Sequence, residues 1–196
     1  MATLEEIIAS QPDTQRKAMA DRFLKFGRDP AKCSKIIFLI GPPASGKSTW
    51  TKAHLAVTDT PTVVLSTDDQ VEAYAKANGL TYSQAMAKVD FQGFERNMAG
   101  SLRVAVAEHK DIIVDRTNMR TRARRRWMSE VPRHYVRVGI EFVVEPEVLY
   151  ARLKRRLHET GKDVPRNIVR GMIETYQPPS YEEFDILERI VTEELV

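Results

Sequence analysis

A glycine-rich segment at residues 41–48 constrains the fold of this chain more than any other feature. It reads Gly-Pro-Pro-Ala-Ser-Gly-Lys-Ser and satisfies the pattern G-x-x-x-x-G-K-[ST]. The β-branched, apolar run at 35–40 predicts a buried parallel strand before it, and the composition of 49–56 predicts a helix after it. A strand, a glycine-rich loop and a helix in this order form a P-loop, because the loop amides and the helix N-terminus together bind phosphate.

The residue types of this loop predict a nucleoside triphosphate site. Lys47 is long enough to reach the β- and γ-phosphates, and the hydroxyl of Ser48 is a hard oxygen ligand that suits Mg²⁺. We expect the Lys47 side chain to be exposed in the loop. The predicted nucleotide-binding residues are Gly41, Pro42, Pro43, Ala44, Ser45, Gly46, Lys47, Ser48 and Thr49.

Strand and helix patterns alternate through the rest of the chain. Helical spacing at 3–26, broken at Pro12, precedes the first strand. Further strands are predicted at 62–65, 111–114, 135–144 and 186–191, with helices between them, and 81–109 is predicted as mostly helical with weak points at Gly93 and Gly100. This alternation predicts an α/β P-loop fold with a mainly parallel sheet of about five strands and helices on both faces. We divide the chain into a helical N-terminal extension, 1–29, and one P-loop domain, 30–196.

Acidic residues follow two of the predicted strands. Asp68 and Asp69 come directly after the second strand, at the edge where open α/β sheets bind their ligands. A carboxylate there could take the proton of an attacking hydroxyl, or both acids could cap the next helix. Asp115 ends the third strand and resembles a Walker B acid that orders the Mg²⁺ shell. The alternative for Asp115 is an acid bonded to backbone N–H groups at a strand end.

The charges are unevenly distributed although the net charge is only +3. Eight arginines and one acid lie in 116–137, and seven Lys or Arg residues and two acids lie in 152–170. The stretch from residue 172 onward instead has seven acids and one arginine. Such segregation predicts a positive cleft for a polyanion, with a solvated arginine-rich helix face as the equal alternative. A third possibility is that the arginines of 120–126 pack on the acidic C-terminal stretch.

A second cationic group follows the fourth predicted strand. Arg152 and Arg156 are four residues apart and share one face of a predicted helix, with Arg155 beside them and Lys162 in the next loop. An arginine loop that closes on a triphosphate would stabilise the charge that moves to the leaving oxygen. The alternative is a solvated helix.

Several protein classes are excluded by what the sequence lacks. The longest uninterrupted apolar run, 36–40, has five residues and is too short to span a bilayer. The N-terminus has neither the basic nor the apolar region of a secretory signal, and no His/Cys cluster has zinc spacing. Cys33 is the one cysteine. We therefore expect a cytoplasmic protein, in the host cytoplasm if a phage encodes it, with no membrane partner.

Together these motifs resemble the 5′-kinase module of phage-type polynucleotide kinases, a group of P-loop kinases. The resemblance covers about 35–191 and rests on the P-loop, Thr67-Asp68-Asp69, Asp115-Arg-Thr-Asn118, Arg124-Arg125-Arg126-Trp127 and Lys154-Arg155 running to Pro165. It implies that the general base is Asp68 and that the lid arginine is one of Arg152, Arg155 and Arg156. The sequence departs from the pattern at Val71, where such kinases often have an arginine that contacts the acceptor's phosphate. It departs again at Glu159, the place of a lid arginine.

The resemblance implies transfer of the γ-phosphate of ATP, with Mg²⁺, to a hydroxyl of a nucleic acid, most simply a 5′-OH end of DNA or RNA. Lys47 would act in transfer beside Asp68, while Ser48 and Asp115 would bind the metal. The expected acceptor-binding residues are Asp69, Asn118, Arg122 and Arg125. The alternatives are a kinase for a hydroxymethylated base in DNA or a free nucleoside, and a nucleotide-dependent nucleic-acid binder with little catalysis. The sequence predicts no oligomeric state.

Overall fold

The computed structural model describes residues 4–192, with side chains from residue 6 onward. Five strands form one sheet, and every neighbouring pair is parallel. The strands are β1 (Lys35–Ile40), β2 (Thr62–Ser66), β3 (Asp111–Asp115), β4 (Val136–Val144) and β5 (Ile186–Thr192). Their order across the sheet is β2-β3-β1-β4-β5. The predicted parallel α/β sheet is confirmed.

Helices and one short 3₁₀ turn, Pro30–Lys32, connect and flank the strands. The helices are α1 (Leu4–Ser10), α2 (Asp13–Leu24), α3 (Lys47–Val57), α4 (Thr67–Ala77), α5 (Tyr82–Met86), α6 (Phe91–Ala107), α7 (Thr121–Met128), α8 (Pro146–Thr160) and α9 (Arg166–Glu174). They cover both faces of the sheet, because the buried side chains form one large apolar cluster on each face.

Strand β1 has apolar side chains on both faces of the sheet, so helices must pack on both faces. Ile36, Phe38 and Ile40 lie in the cluster that contains residues of α6 and α7. The alternate residues Ile37 and Leu39 lie in the other cluster, with residues of α2 and α3. A strand that is buried on both sides reads as a continuous apolar run, which is the pattern seen at 35–40.

The register of the sheet brings the predicted site residues to one edge. Asp115 at the end of β3 pairs with Leu39 of β1 on one side and with Ser66 of β2 on the other. The glycine-rich loop after β1 and the turn after β2 therefore flank Asp115. Strand β1 lies between β3 and β4, where the strand order reverses, and a crevice forms at such a point outside the carboxyl ends of the strands.

The N-terminal helices pack directly on the sheet. Ile7 of α1 and Phe23 of α2 are buried in the same cluster as β1. Gln11, between these helices, pairs with the edge strand β5: its Nε2 donates to Leu187 O and its Oε1 accepts from Leu187 N, each at 3.1 Å. The side-chain amide thus takes the place of a neighbouring strand at that residue. The division at residue 29 stays a prediction.

One predicted helix is interrupted elsewhere than expected. The stretch 81–109 divides into α5 and α6 between residues 86 and 91, whereas Gly93 and Gly100 both lie inside α6. A Cβ on Gly93 would lie 2.6 Å from Asp90 Oδ2, so the glycine makes room for that carboxylate beside the start of the helix. The two predicted weak points were therefore wrong.

Candidate active site

The glycine-rich loop has the backbone shape of an anion-binding nest. Ala44 (φ 64°) and Gly46 (φ 104°) both adopt left-handed conformations, and Gly46 is the N-cap residue of α3. A Cβ on Gly41 would lie 2.8 Å from Ser45 Oγ and 3.1 Å from both Cβ and O of Phe142, so only glycine fits there. Successive amides in such a turn, followed by a helix N-terminus, point their N–H groups at a common centre.

Lys47 is folded over this loop and is only 8% exposed, which corrects the expectation of an exposed side chain. Its Nζ donates to Gly41 O at 2.9 Å and to Pro42 O at 2.6 Å. Burial lowers the pKa of Lys47 to about 8, against the opposing effect of Asp115 and Asp68. An anionic phosphate in the loop would replace the lost hydration and favour the ammonium form.

Asp115 lies beside this lysine and supplies a candidate metal ligand. Its Oδ2 accepts from Thr51 Oγ1 at 3.4 Å. Burial raises the pKa of Asp115; Lys47 opposes the rise and Asp69 adds to it. A half-buried carboxylate that accepts this one side-chain hydrogen bond among the described residues is a good position for a cation.

The residues present fit a Mg²⁺ ion shared with a nucleotide. Ser48 is exposed in the first turn of α3, so its hydroxyl is accessible beside the loop. Among residues 6–192 no group of three or more His, Cys, Asp or Glu residues could hold a metal ion. Mg²⁺ usually keeps several waters and takes one or two protein oxygens plus phosphate oxygens, which matches Ser48 and Asp115 without a third acid.

Neither Asp68 nor Asp69, which follow β2, is the N-cap residue of helix α4. Ser66 is the N-cap of α4, and its Oγ accepts from Asp69 N at 3.1 Å. The alternative that Asp68 or Asp69 caps the helix is therefore wrong. Asp68 is half exposed, and each of its carboxylate oxygens has one side-chain donor: Tyr82 Oη at 2.9 Å from Oδ1, and Arg156 Nη2 at 3.0 Å from Oδ2.

The three arginines predicted for the lid lie in three different environments on α8. Arg156 binds Asp68, as described above. Arg155 faces solvent and pairs with Glu159 at 3.8 Å, both side chains being largely exposed. Arg152 Nη1 donates to Thr192 Oγ1 at 3.3 Å. The methyl of Thr192 lies 3.9 Å from the position of a Cβ on Gly46, so Arg152 lies near the rim of the P-loop.

The arginine-rich helix α7 divides into an inner and an outer set. Arg124 is fully buried and its Nη2 forms an ion pair with Glu183 at 2.5 Å. Its Nη1 donates to Asn118 O at 3.0 Å and to Gln177 O at 2.9 Å. For this residue the alternative of packing on the acidic C-terminal stretch is correct, and the expectation of a free cationic surface is wrong.

The outer set contains the two arginines predicted to bind the acceptor. Arg122 and Arg125 are exposed and form no ion pair with any of the residues that the structure describes. Arg126 is also exposed, but it pairs with Glu95 at 2.9 Å, and Arg116 contacts the same carboxylate. Two uncompensated guanidinium groups therefore project from this helix.

Asn118, also predicted to contact the acceptor, is buried, unlike Arg122 and Arg125. It is only 2% exposed, and its Nδ2 donates to Leu39 O at 2.9 Å and to Val114 O at 2.8 Å. It also adopts a left-handed conformation (φ 48°). Its amide nitrogen thus fastens the loop after β3 to β1 and is occupied by backbone carbonyls.

An open groove lies between the loop after β3 and helix α9. It has a volume of about 440 Å³ and is lined mainly by apolar side chains, with Arg120 at one side. Its apolar lining includes Met119, Ala123, Ile168 and Met172, while Gly171 leaves space on the α9 side. Sequence reasoning missed this groove, and it also missed Tyr82, because neither belongs to a motif.

The comparisons with known proteins agree with this geometry. A family model described as an AAA domain matches residues 36–179, which include the P-loop, Asp68, Asp115 and Arg156. The chain belongs to the AAA domain family. The matched region runs from β1 to just beyond α9, so this AAA domain contains most of the sheet.

Solved structures of several kinds share the fold of this AAA domain. A chain of the Pnkp1/Rnl/Hen1 RNA repair complex has a TM-score of 0.57 and 20% identity, over 73% of this chain and 44% of that one. This chain therefore spans less than half the length of that relative. Kti12 from Chaetomium thermophilum, in complex with ADP-AlF3, has a TM-score of 0.55 and 15% identity, over 80% and 88% of the two chains.

Shikimate kinase from Acinetobacter baumannii is also similar, with a TM-score of 0.51 and 15% identity over 82% of this chain and 85% of that one. At these identities the likeness shows the fold alone. The fold is P-loop kinase-like, and it implies nucleotide binding. In the part of the chain that the structure describes, no helix is both long and apolar enough to cross a membrane.

Proposed function

We propose that this protein transfers the γ-phosphate of ATP to a hydroxyl group of a nucleic acid, most simply a 5′-OH end of DNA or RNA. One observation carries the proposal: the P-loop lysine and the half-exposed carboxylate of Asp68 lie at the same edge of the sheet. The glycine-rich loop after β1 and the residues that follow β2 flank Asp115 at this edge, and the charge of Asp68 opposes the lowering of the Lys47 pKa. A phosphate donor site and a candidate proton acceptor are thus neighbours.

Each of the site residues then has a chemical task. The loop amides and Lys47 bind the β- and γ-phosphates, and a Mg²⁺ ion held by Ser48 and Asp115 would neutralise phosphate charge. Asp68 accepts the proton of the acceptor hydroxyl as that oxygen bonds to the γ-phosphorus. The bond between this phosphorus and the β–γ bridging oxygen breaks, and ADP leaves. Arg152 and Arg156 stabilise the negative charge that grows on the bridging oxygen.

Two features support a nucleic acid as the acceptor. Arg122 and Arg125 are exposed and have no acidic partner among the described residues, which suits backbone phosphates. The apolar groove beside the loop after β3 suits the flat ring of a nucleobase better than a polyhydroxylated sugar. The similarity of the fold to a chain of an RNA repair complex agrees with this acceptor class.

A specific observation favours a second candidate, a nucleoside or a hydroxymethylated base. Val71 is fully buried with Ala75 and Ala85, so its position cannot supply a charged group to an acceptor phosphate. An acceptor that has no phosphate next to its reactive hydroxyl would not need that group. A third possibility, a nucleotide-dependent binder with little catalysis, predicts ATP binding without transfer.

A transfer assay with labelled ATP distinguishes these candidates. The acceptors are 5′-OH DNA, 5′-OH RNA, hydroxymethylated DNA that carries a 5′-phosphate, and free nucleosides, each with Mg²⁺. We expect label on the 5′-OH oligonucleotides. Label only on the modified base or the nucleosides would support the second candidate. ATP binding with no labelled acceptor would contradict the proposed reaction.

A further inference from the structure

Tyr82 makes a contact with Asp68 that none of the predicted roles uses. Its hydroxyl donates to Asp68 Oδ1 at 2.9 Å, while Arg156 donates to Oδ2 at 3.0 Å. The two donors differ in origin: Tyr82 begins the short helix α5, and Arg156 lies near the end of α8. Each oxygen of the proposed base therefore has its own partner, on a different element.

We infer that Tyr82 is a positioning residue for the base: it holds Oδ1 and leaves Oδ2 as the proton acceptor once Arg156 turns to the phosphates. This inference rests on the proposed function. While Arg156 binds Oδ2, that oxygen is not available to an acceptor hydroxyl. A triphosphate competes for the guanidinium, because a more highly charged anion binds it more strongly than one carboxylate does.

The phenol of Tyr82 is held firmly enough for this task. Thr81 and Gln84 form a reciprocal capping box that fixes the start of α5. The Tyr82 ring packs on the apolar cluster that contains Val71 and Ala85, so its direction is set by the core between α4 and α5. Burial, reinforced by the charge of Asp68, raises the pKa of Tyr82, so the hydroxyl stays protonated and remains a donor.

The loop after α8 connects Arg156 to the same two helices. The Lys162 ammonium lies 4.8 Å from the centroid of the Tyr82 ring and forms an ion pair with Glu72 of α4. Ser83 Oγ donates to Gly161 O at 3.2 Å. The loop that would move with Arg156 thus rests on the elements that carry Asp68 and Tyr82. When that loop moves, Tyr82 keeps Asp68 in place.

The test is a double-mutant cycle of Tyr82→Phe and Asp68→Asn, read as kcat and KM for the oligonucleotide and for ATP. The substitution Tyr82→Phe removes one hydrogen bond to a charged group, so kcat should fall about tenfold to a hundredfold, with KM for ATP unchanged. In the Asp68→Asn background Tyr82→Phe should cause no further loss, because a residue that acts through Asp68 has nothing left to position.

Tyr74→Phe is the matched control. Tyr74 packs against the same cluster, and its hydroxyl has no hydrogen-bond partner among the described residues, so kcat should not change. The melting temperatures of both Phe variants should match the wild type. An unchanged kcat for Tyr82→Phe, or an equal loss in both backgrounds, would overturn the inference while the proposed function stands. Absence of transfer by the wild-type protein to every acceptor would overturn the proposed function and the inference with it.

Discussion

At the residue scale, the charge state of Lys47 connects the structure to a measurable property. The side chain is buried against two backbone carbonyls, and this burial lowers its pKa to about 8. The protein without nucleotide therefore loses the Lys47 proton just above neutral pH. A phosphate bound to the ammonium group favours the proton and raises the pKa in the complex.

The sign of the pH dependence follows from this difference. Below pH 8 both states hold the proton, and ATP affinity is at its full value. Above pH 8 the free protein loses a proton that the complex retains, so the Kd for ATP should rise by up to about tenfold per pH unit. Calorimetric titration of the wild type between pH 6.5 and 9.5, with Mg²⁺ present, measures this change. Lys47→Ala is the control: it should bind ATP weakly, and its Kd should not rise above pH 8. A wild-type Kd that does not change with pH would contradict the role of Lys47 in binding phosphate.

At the element scale, helix α7 shows how one arginine-rich segment serves two purposes. Arg124 faces inward to Glu183, whereas Arg122 and Arg125 face solvent. The sequence could not separate them, because Glu183 lies 59 residues further along the chain and the helix face that meets it depends on tertiary packing. Composition predicted either a polyanion surface or a solvated helix face for the whole segment. In the structure only the outward-facing arginines remain candidates for binding a polyanion.

The double substitution Arg122→Ala with Arg125→Ala should weaken oligonucleotide binding and leave ATP binding unchanged. Each phosphate contact contributes about 0.7 to the slope of log K against log salt for a single strand, so the slope should become shallower by about 1.4. The measurement is oligonucleotide affinity across a salt series, with the KM for ATP as the internal control. An unchanged slope would exclude these two side chains from the acceptor interface.

Arg124→Ala should instead destabilise the fold. Removal of one partner from a buried ion pair leaves an uncompensated charge on Glu183, which costs about 3–5 kcal/mol of unfolding free energy. Urea denaturation measures the loss. Arg125→Ala, an exposed arginine on the same helix, is the matched control and should change stability by less than about 0.5 kcal/mol. Equal effects of the two substitutions would show that the inner and outer sets are not energetically distinct.

At the scale of the whole molecule, the alternation of strands and helices along the chain and the position of the P-loop followed from sequence patterns, because a strand buried on both faces reads as a short continuous apolar run. The order of the strands across the sheet was not predicted. The sequence also indicated Asp68 and Asp115, since carboxyl ends of parallel strands meet at one edge. It gave no sign of Tyr82, the Gln11 contact with β5, or the inward turn of Lys47. These contacts join residues far apart in the chain or depend on the path of one loop, and no local pattern records them.

The central claim is that the carboxylate of Asp68 takes a proton while the P-loop holds the phosphate donor. The most direct test is the rate of γ-phosphate transfer from saturating ATP to a 5′-OH oligonucleotide, for the wild type, Asp68→Asn and Asp69→Asn, with ATP affinity measured on the same samples. Loss of a general base typically slows a reaction by about 10²–10⁴-fold, so Asp68→Asn should lose that much transfer, keep its ATP affinity, and be the more damaging of the two substitutions. Transfer by Asp68→Asn close to the wild-type rate, or a larger loss in Asp69→Asn, would contradict the account.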